Sequence, residues 1–90
     1  MSPESRAIIC AVARKHGVLL ADVMNDTLAR KVTTARQEAY AEVKRQRNLT
    51  LHQVARLFGK DHTTVLYGIR AHRERQAYLA SKSASQREKS

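Results

Sequence analysis

Apolar residues recur at intervals of three and four along most of this chain, the spacing of a helix face rather than of a strand. Ile8, Val12 and either Ile9 or Ala11 supply the first such face. Ser2 and Pro3 suit the N-cap and first turn of that helix, and Gly17 stops it after His16. Leu19, Leu20, Val23 and Met24 predict a short second helix that ends near Asn25-Asp26, and residues 25–32 read as a loop carrying Arg30 and Lys31. Thr34 with Gln37 forms a T-x-x-Q capping box, so a third helix is expected from there to about Arg47, with Ala35, Ala39, Tyr40 and Val43 inward. Thr50 with Gln53 repeats the box ahead of Leu51, Val54, Ala55 and Phe58, and Gly59 ends that run. A last helix begins at Asp61, turns Val65, Leu66 and Ile69 inward, and runs to about Leu79. From Ala80 to Ser90 only small or polar residues remain, too little apolar surface to offset the entropy of ordering. The pattern therefore predicts an all-α fold of about five helices over residues 1–79 and a disordered basic tail over residues 80–90.

Composition narrows the classes this fold can serve. Ninety residues with 42% apolar content allow one small domain, near the lower limit of what a single core supports. The lone cysteine, Cys10, cannot form an internal disulfide and lies among apolar neighbours, which fits a reducing cytoplasm. No apolar run approaches a membrane span, the N-terminus lacks a signal-peptide pattern, and internal repeats are absent. The formal net charge is +9, and it is uneven: residues 27–73 carry ten basic side chains against three acidic ones, while the first 26 residues balance. A surface of that sign attracts polyanions, of which nucleic acid is the commonest.

The last two expected helices turn this general attraction into specific chemistry. Two short helices joined by a tight turn at Gly59, the second opening on Asp61-His62-Thr63-Thr64, form a helix-turn-helix with a polar reading edge. Asp61 can accept from the free N–H groups of the first turn. The small threonines let the backbone approach a groove, where hydroxyls bond base edges and a methyl packs on thymine. Competing readings of the same residues are weaker. His16, His52, His62 and His72 have no metal-ligand spacing, so no metal or cofactor is expected. Tyr40, Tyr67 and Tyr78 suit core or groove-edge packing better than base stacking, and Lys44-Arg45-Gln46-Arg47 reads either as a phosphate-facing strip or as a solvated face. No serine, cysteine or carboxylate pair is placed for catalysis, so an enzyme with a small-molecule substrate is not expected.

Ala35-Arg36-Gln37, Leu49-Thr50-Leu51, Phe58-Gly59 and above all Asp61-His62-Thr63-Thr64-Val65-Leu66 occur in an order and spacing that resembles one family, the C-terminal DNA-binding domain of the bacterial chromosomal replication initiator DnaA. Gly17 to Val23 resembles the entry to that domain, and the likeness covers about residues 4–75. The resemblance implies that Asp61, His62, Thr63 and Thr64 read the major groove, with Lys60 beside them on a phosphate or base edge. It implies further that Arg36 and Gln37 grip the backbone at the start of the third helix, that Lys44 faces phosphate, and that Leu51 offers backbone N–H groups. Leu28 stands where the family carries an arginine that enters the minor groove, leaving Arg30 or Lys31 as substitutes. The turn between Phe58 and Asp61 is one residue shorter than in many initiators. Gly68 stands where alanine is usual, for close approach either to DNA or to another helix.

A phosphate loop of the G-x-x-x-x-G-K-[ST] type is missing, so the resemblance extends to DNA binding and not to ATP hydrolysis. Met1 and the tail at Ser90 suggest a stand-alone small protein. The expected function is sequence-specific binding of double-stranded DNA at DnaA-box-like sites, as a cytoplasmic, nucleoid-associated regulator of replication initiation or transcription. Two alternatives remain at this point: a module that binds the full-length initiator, and a nucleic-acid binder that acts through charge alone.

Overall fold

Most helix ends lie where a local signal puts them; the start of the third helix and the end of the last do not. The computed structural model describes the backbone of residues 1–89 and the side chains of residues 1–83. It contains helices α1 (Pro3–His16), α2 (Leu20–Met24), α3 (Arg30–Arg47), α4 (Leu51–Phe58) and α5 (His62–Lys89), with no strand among the described residues. Ser2 caps α1 by accepting from the Ser5 N–H, and Gly17 closes it at φ +66°, a left-handed conformation that costs glycine little. Thr50 and Gln53 form the expected reciprocal box, with Gln53 N–H to Thr50 Oγ1 at 3.1 Å and Thr50 N–H to Gln53 Oε1 at 2.9 Å.

The third helix departs from its signal. It starts at Arg30, not at the Thr34/Gln37 box, so residues 30–32 are helix rather than loop. Val32, Ala35, Ala39 and Val43 are all buried and lie on one face, which carries the apolar stripe about one turn upstream of Ala35. Burial of that stripe outweighs a local capping preference. The N-cap position falls to Ala29, whose side chain accepts nothing.

Helix α3 is the axis of the molecule, touched by α1, α2, α4 and α5. It runs antiparallel to α1. Arg47 near its end donates to Ser2 Oγ at 2.6 Å and Glu4 Oε2 at 2.8 Å, while Lys15 at the far end of α1 reaches Glu38 at 3.0 Å. Ile9 and Val12 from α1, Val23 from α2, Val54 and Phe58 from α4, and Val65 and Ile69 from α5 complete the core. Each such buried side chain contributes about 1.5–3 kcal/mol relative to exposure.

Gly68 is explained by packing. A Cβ there would stand 2.8 Å from Tyr40 Cδ2, so its absence lets α5 seat against the Tyr40 ring, which meets Phe58 edge-on at 4.8 Å. Beyond Arg75, α5 leaves the body, and every residue from Gln76 to Ser83 is exposed. The expected end of the last helix near Leu79 is corrected, since the α5 backbone continues to Lys89 with residues 80–83 exposed; the rest of the expected tail lies partly outside the described residues.

Candidate nucleic-acid interface

Two helix starts form one end of the molecule. Thr50 caps α4 and Asp61 caps α5, the latter with Oδ1 accepting from the Thr63 N–H at 3.0 Å. Gly59, at φ +66° with open space around it, makes the turn that brings the two starts side by side. Asp61, His62 and Thr64 are exposed and Thr63 is half-buried, while Val65 directly below them is completely buried. The inward position anchors the turn, and the polar positions face out.

The same carboxylate that caps α5 also orients a ring. His62 Nδ1 lies 3.1 Å from Asp61 Oδ1, and Nε2 makes no hydrogen bond among the described residues on a side chain that is half exposed. Asp61 keeps its second oxygen as an acceptor. Thr63 and Thr64 supply hydroxyls with no hydrogen bond to protein among the described residues. An acceptor, an imidazole edge and two hydroxyls on one exposed first turn match what a major groove offers as donors and acceptors.

Behind this turn a groove of about 530 Å³ runs between the α2–α3 loop, α3 and α5. It brings together Arg36, Gln37, Lys60 and Thr64 from the expected site, with Leu28 and Tyr67 exposed on its flanks. Yet its cations are already engaged. Arg36 is only 6% exposed, and its Nε and Nη2 donate to the carbonyls of Val23 and Asp22, each at 2.7 Å.

The expected phosphate contact by Arg36 is therefore corrected. The arginine lies well inside α3, not at its start, so no free N–H groups or positive helix end accompany it. It satisfies the terminal carbonyls of α2 instead. Lys60 is drawn into an ion pair with Asp26 of the α2–α3 loop, which holds the Asp26 carboxyl below its ordinary pKa chiefly by hydrogen bonding. Gln37 Oε1 accepts from Arg75 Nη2 at 3.0 Å.

The remaining expected residues are spread out. Arg30 and Lys31 are exposed on the first turn of α3, with the Lys31 ammonium beside Gly17 at the C-terminal end of α1, where a cation is favoured. Lys44 is half-buried and makes no hydrogen bond or ion pair among the described residues. Its neighbours Arg45 and Arg47 are paired with Glu42 and Glu4, so most of that basic strip balances acids of the same domain. Leu51, also half-buried, packs on the core at the first position of α4.

One residue of this end was not singled out by sequence reasoning. His52, exposed at the start of α4, stacks on His62 with ring centroids 4.4 Å apart. Its position two residues after the Thr50 cap, against one residue after the Asp61 cap for His62, was the available signal.

Comparisons with known proteins converge on the same stretch. The family described as bacterial DnaA protein helix-turn-helix matches residues 5–71. The chromosomal replication initiator protein DnaA of Neisseria meningitidis serogroup B is 38% identical over 65 residues, covering 71% of this chain and 12% of that protein. The Neisseria gonorrhoeae DnaA gives the same figures. The DnaA of a Picosynechococcus species is 38% identical over 61 residues, covering 67% of this chain and 14% of its own length. The chain thus spans about an eighth of the curated relatives it matches. No solved structure matches it significantly. No helix among the described residues is long and apolar enough to cross a membrane.

Proposed function

The chain belongs to the bacterial DnaA helix-turn-helix family, a DNA-binding module, and from that premise we propose that it recognises DnaA-box-like duplex sites by sequence. The α5 helix lies in the major groove, and Asp61, His62, Thr63 and Thr64 meet base edges. Lys44, Gln37 and the backbone N–H groups at Leu51 approach the flanking phosphates, and Arg30 extends the basic surface. Lys60 reaches a phosphate by exchanging Asp26 for it. The observation that carries the reading is the first turn of α5, polar and outward while Val65 beneath it is buried.

In this role the chain is a regulator or accessory factor of replication initiation or transcription, since box occupancy helps or competes with an initiator at the same site. Its charge supports the assignment: a basic protein gains affinity for any duplex by releasing counterions, and base contacts then select among sites. The test is selection of bound duplexes from a random pool, repeated with His62→Ala. A motif recovered with the wild-type chain and lost with the variant supports the reading. Equal recovery of all sequences leaves charge alone as the basis of binding. Binding to no duplex, together with capture of the full-length initiator, replaces it with a protein-interaction role.

A further inference from the structure

The imidazoles of His52 and His62 come from different helices and stack at the outer end of the molecule, centroids 4.4 Å apart and planes tilted by 32°. Both residues are exposed, so the contact excludes no water from the core. What it does is restrict a side chain. A histidine has two side-chain torsions, and His62 meets a partner in each of two directions. Asp61 Oδ1 lies 3.1 Å from its Nδ1, within electrostatic contact, and the His52 ring lies against its own ring. The backbones beneath both rings are themselves fixed, by the Thr50–Gln53 capping box on α4 and by the Asp61 cap on α5.

We propose that His52 is a positioning residue for base reading. It holds the His62 ring in the orientation that turns its free edge toward the duplex, and so sets how strongly the chain discriminates its preferred site. This rests on the DNA-reading assignment above. A reading side chain that is ordered before DNA arrives loses less freedom on binding, and the saving is realised only where the ordered edge finds its partner. His52 therefore acts on the ratio of specific to nonspecific affinity rather than on affinity for DNA in general.

The experiment measures affinity for the selected duplex and for a scrambled duplex of equal length, with melting temperature as a check on folding. His52→Ala is expected to lower the affinity ratio about five-fold, as befits the loss of one aromatic pair, while scrambled-duplex affinity and melting temperature stay unchanged. His52→Phe, which keeps a ring but no N–H, restores the ratio. In a His62→Ala background, His52→Ala changes the ratio no further. A wild-type chain that discriminates, with a ratio unmoved by His52→Ala, overturns the positioning role and leaves the DNA-reading assignment standing. So does a fall of the same size whether or not His62 is present, or a failure of phenylalanine to restore the ratio. A wild-type chain with no preference between duplexes removes the assignment beneath it and the positioning role with it.

Discussion

The flank where α1 packs on α3 and the end where α4 and α5 begin are both rich in polar side chains, but they use them in opposite ways. On the flank, polar groups are turned inward and satisfied. Glu38 is 8% exposed and takes Lys15 at 3.0 Å and His16 at 3.2 Å. At the end, Asp61, His62 and Thr64 are exposed, and their bonds within the protein go only to capping and orienting the turn. A buried polar group without a partner costs about 1–3 kcal/mol, so the flank must pair what it buries. The exposed end carries no such penalty and can keep its groups for a ligand. Residue type alone does not distinguish these uses; whether the bonding capacity is already spent does.

The largest effect that sharpens this contrast falls on a basic residue. Arg36→Ala removes both donors to the Val23 and Asp22 carbonyls and leaves a cavity above α2. It should lower stability by about 3 kcal/mol, at 1.5–3 kcal/mol for each charge-assisted bond and with incomplete additivity. Chemical denaturation checks this, and the salt dependence of DNA binding should not change at temperatures where the variant is folded. A flatter salt dependence at unchanged stability would move Arg36 back to the phosphates.

At the other end the expectation reverses. His62→Ala or Thr63→Ala should cost about 1–3 kcal/mol at the preferred duplex and little on a scrambled one. Melting temperature should move by no more than an exposed substitution usually moves it. Gly68→Ala tests the groove behind the turn. The added methyl meets Tyr40 at 2.8 Å, and overpacking of about 1–3 kcal/mol outweighs the roughly 1 kcal/mol gained in helix propensity. A net loss of about 1 kcal/mol is expected by thermal melting, and a gain would show that the Tyr40 ring yields freely.

The smallest expected effect is a pH dependence of stability, read at His72 and Glu38. Burial, the largest influence, holds the His72 pKa below 6.5, with Glu38 and Glu42 opposing it. The unfolded chain therefore takes up the proton first, and stability falls as pH drops below about 6.5. Burial pushes the Glu38 carboxyl up, but hydrogen bonds and charge from Lys15 and His16 outweigh it, so its pKa lies below 4.5. Its contribution is complete above that value and is lost as pH falls further, through the folded-state pKa. Melting temperature followed from about pH 8 down to about pH 2 should show both declines, and His72→Gln should remove the first alone.

The sequence made the reading end more legible than the flank, for a physical reason. Caps are short-range: Ser2-Pro3, Thr50 with Gln53, and Asp61 each bond within three residues, so their signatures sit in the chain as written. The terminating glycines 17 and 59 are equally local. The bonds that assign Arg36 its role span 13 and 14 residues, and those joining Lys15 to Glu38 span 23. No local pattern encodes them. The start of α3 failed for the same reason, since the Thr34/Gln37 signal was genuine in form but Val32 had an apolar site waiting one turn earlier. His52 was missed because its partner lies on the next helix, ten positions away and invisible until the turn at Gly59 folds the two starts together.

Titration of the isotope-labelled chain with its selected duplex, followed by amide chemical shifts, tests the placement most directly. The largest shifts should appear at residues 51–53 and 61–64, with residues 5–16 and the buried Glu38–His72 region nearly still. Shifts centred on α1, or spread evenly over every basic residue with the first turn of α5 unmoved, would contradict it.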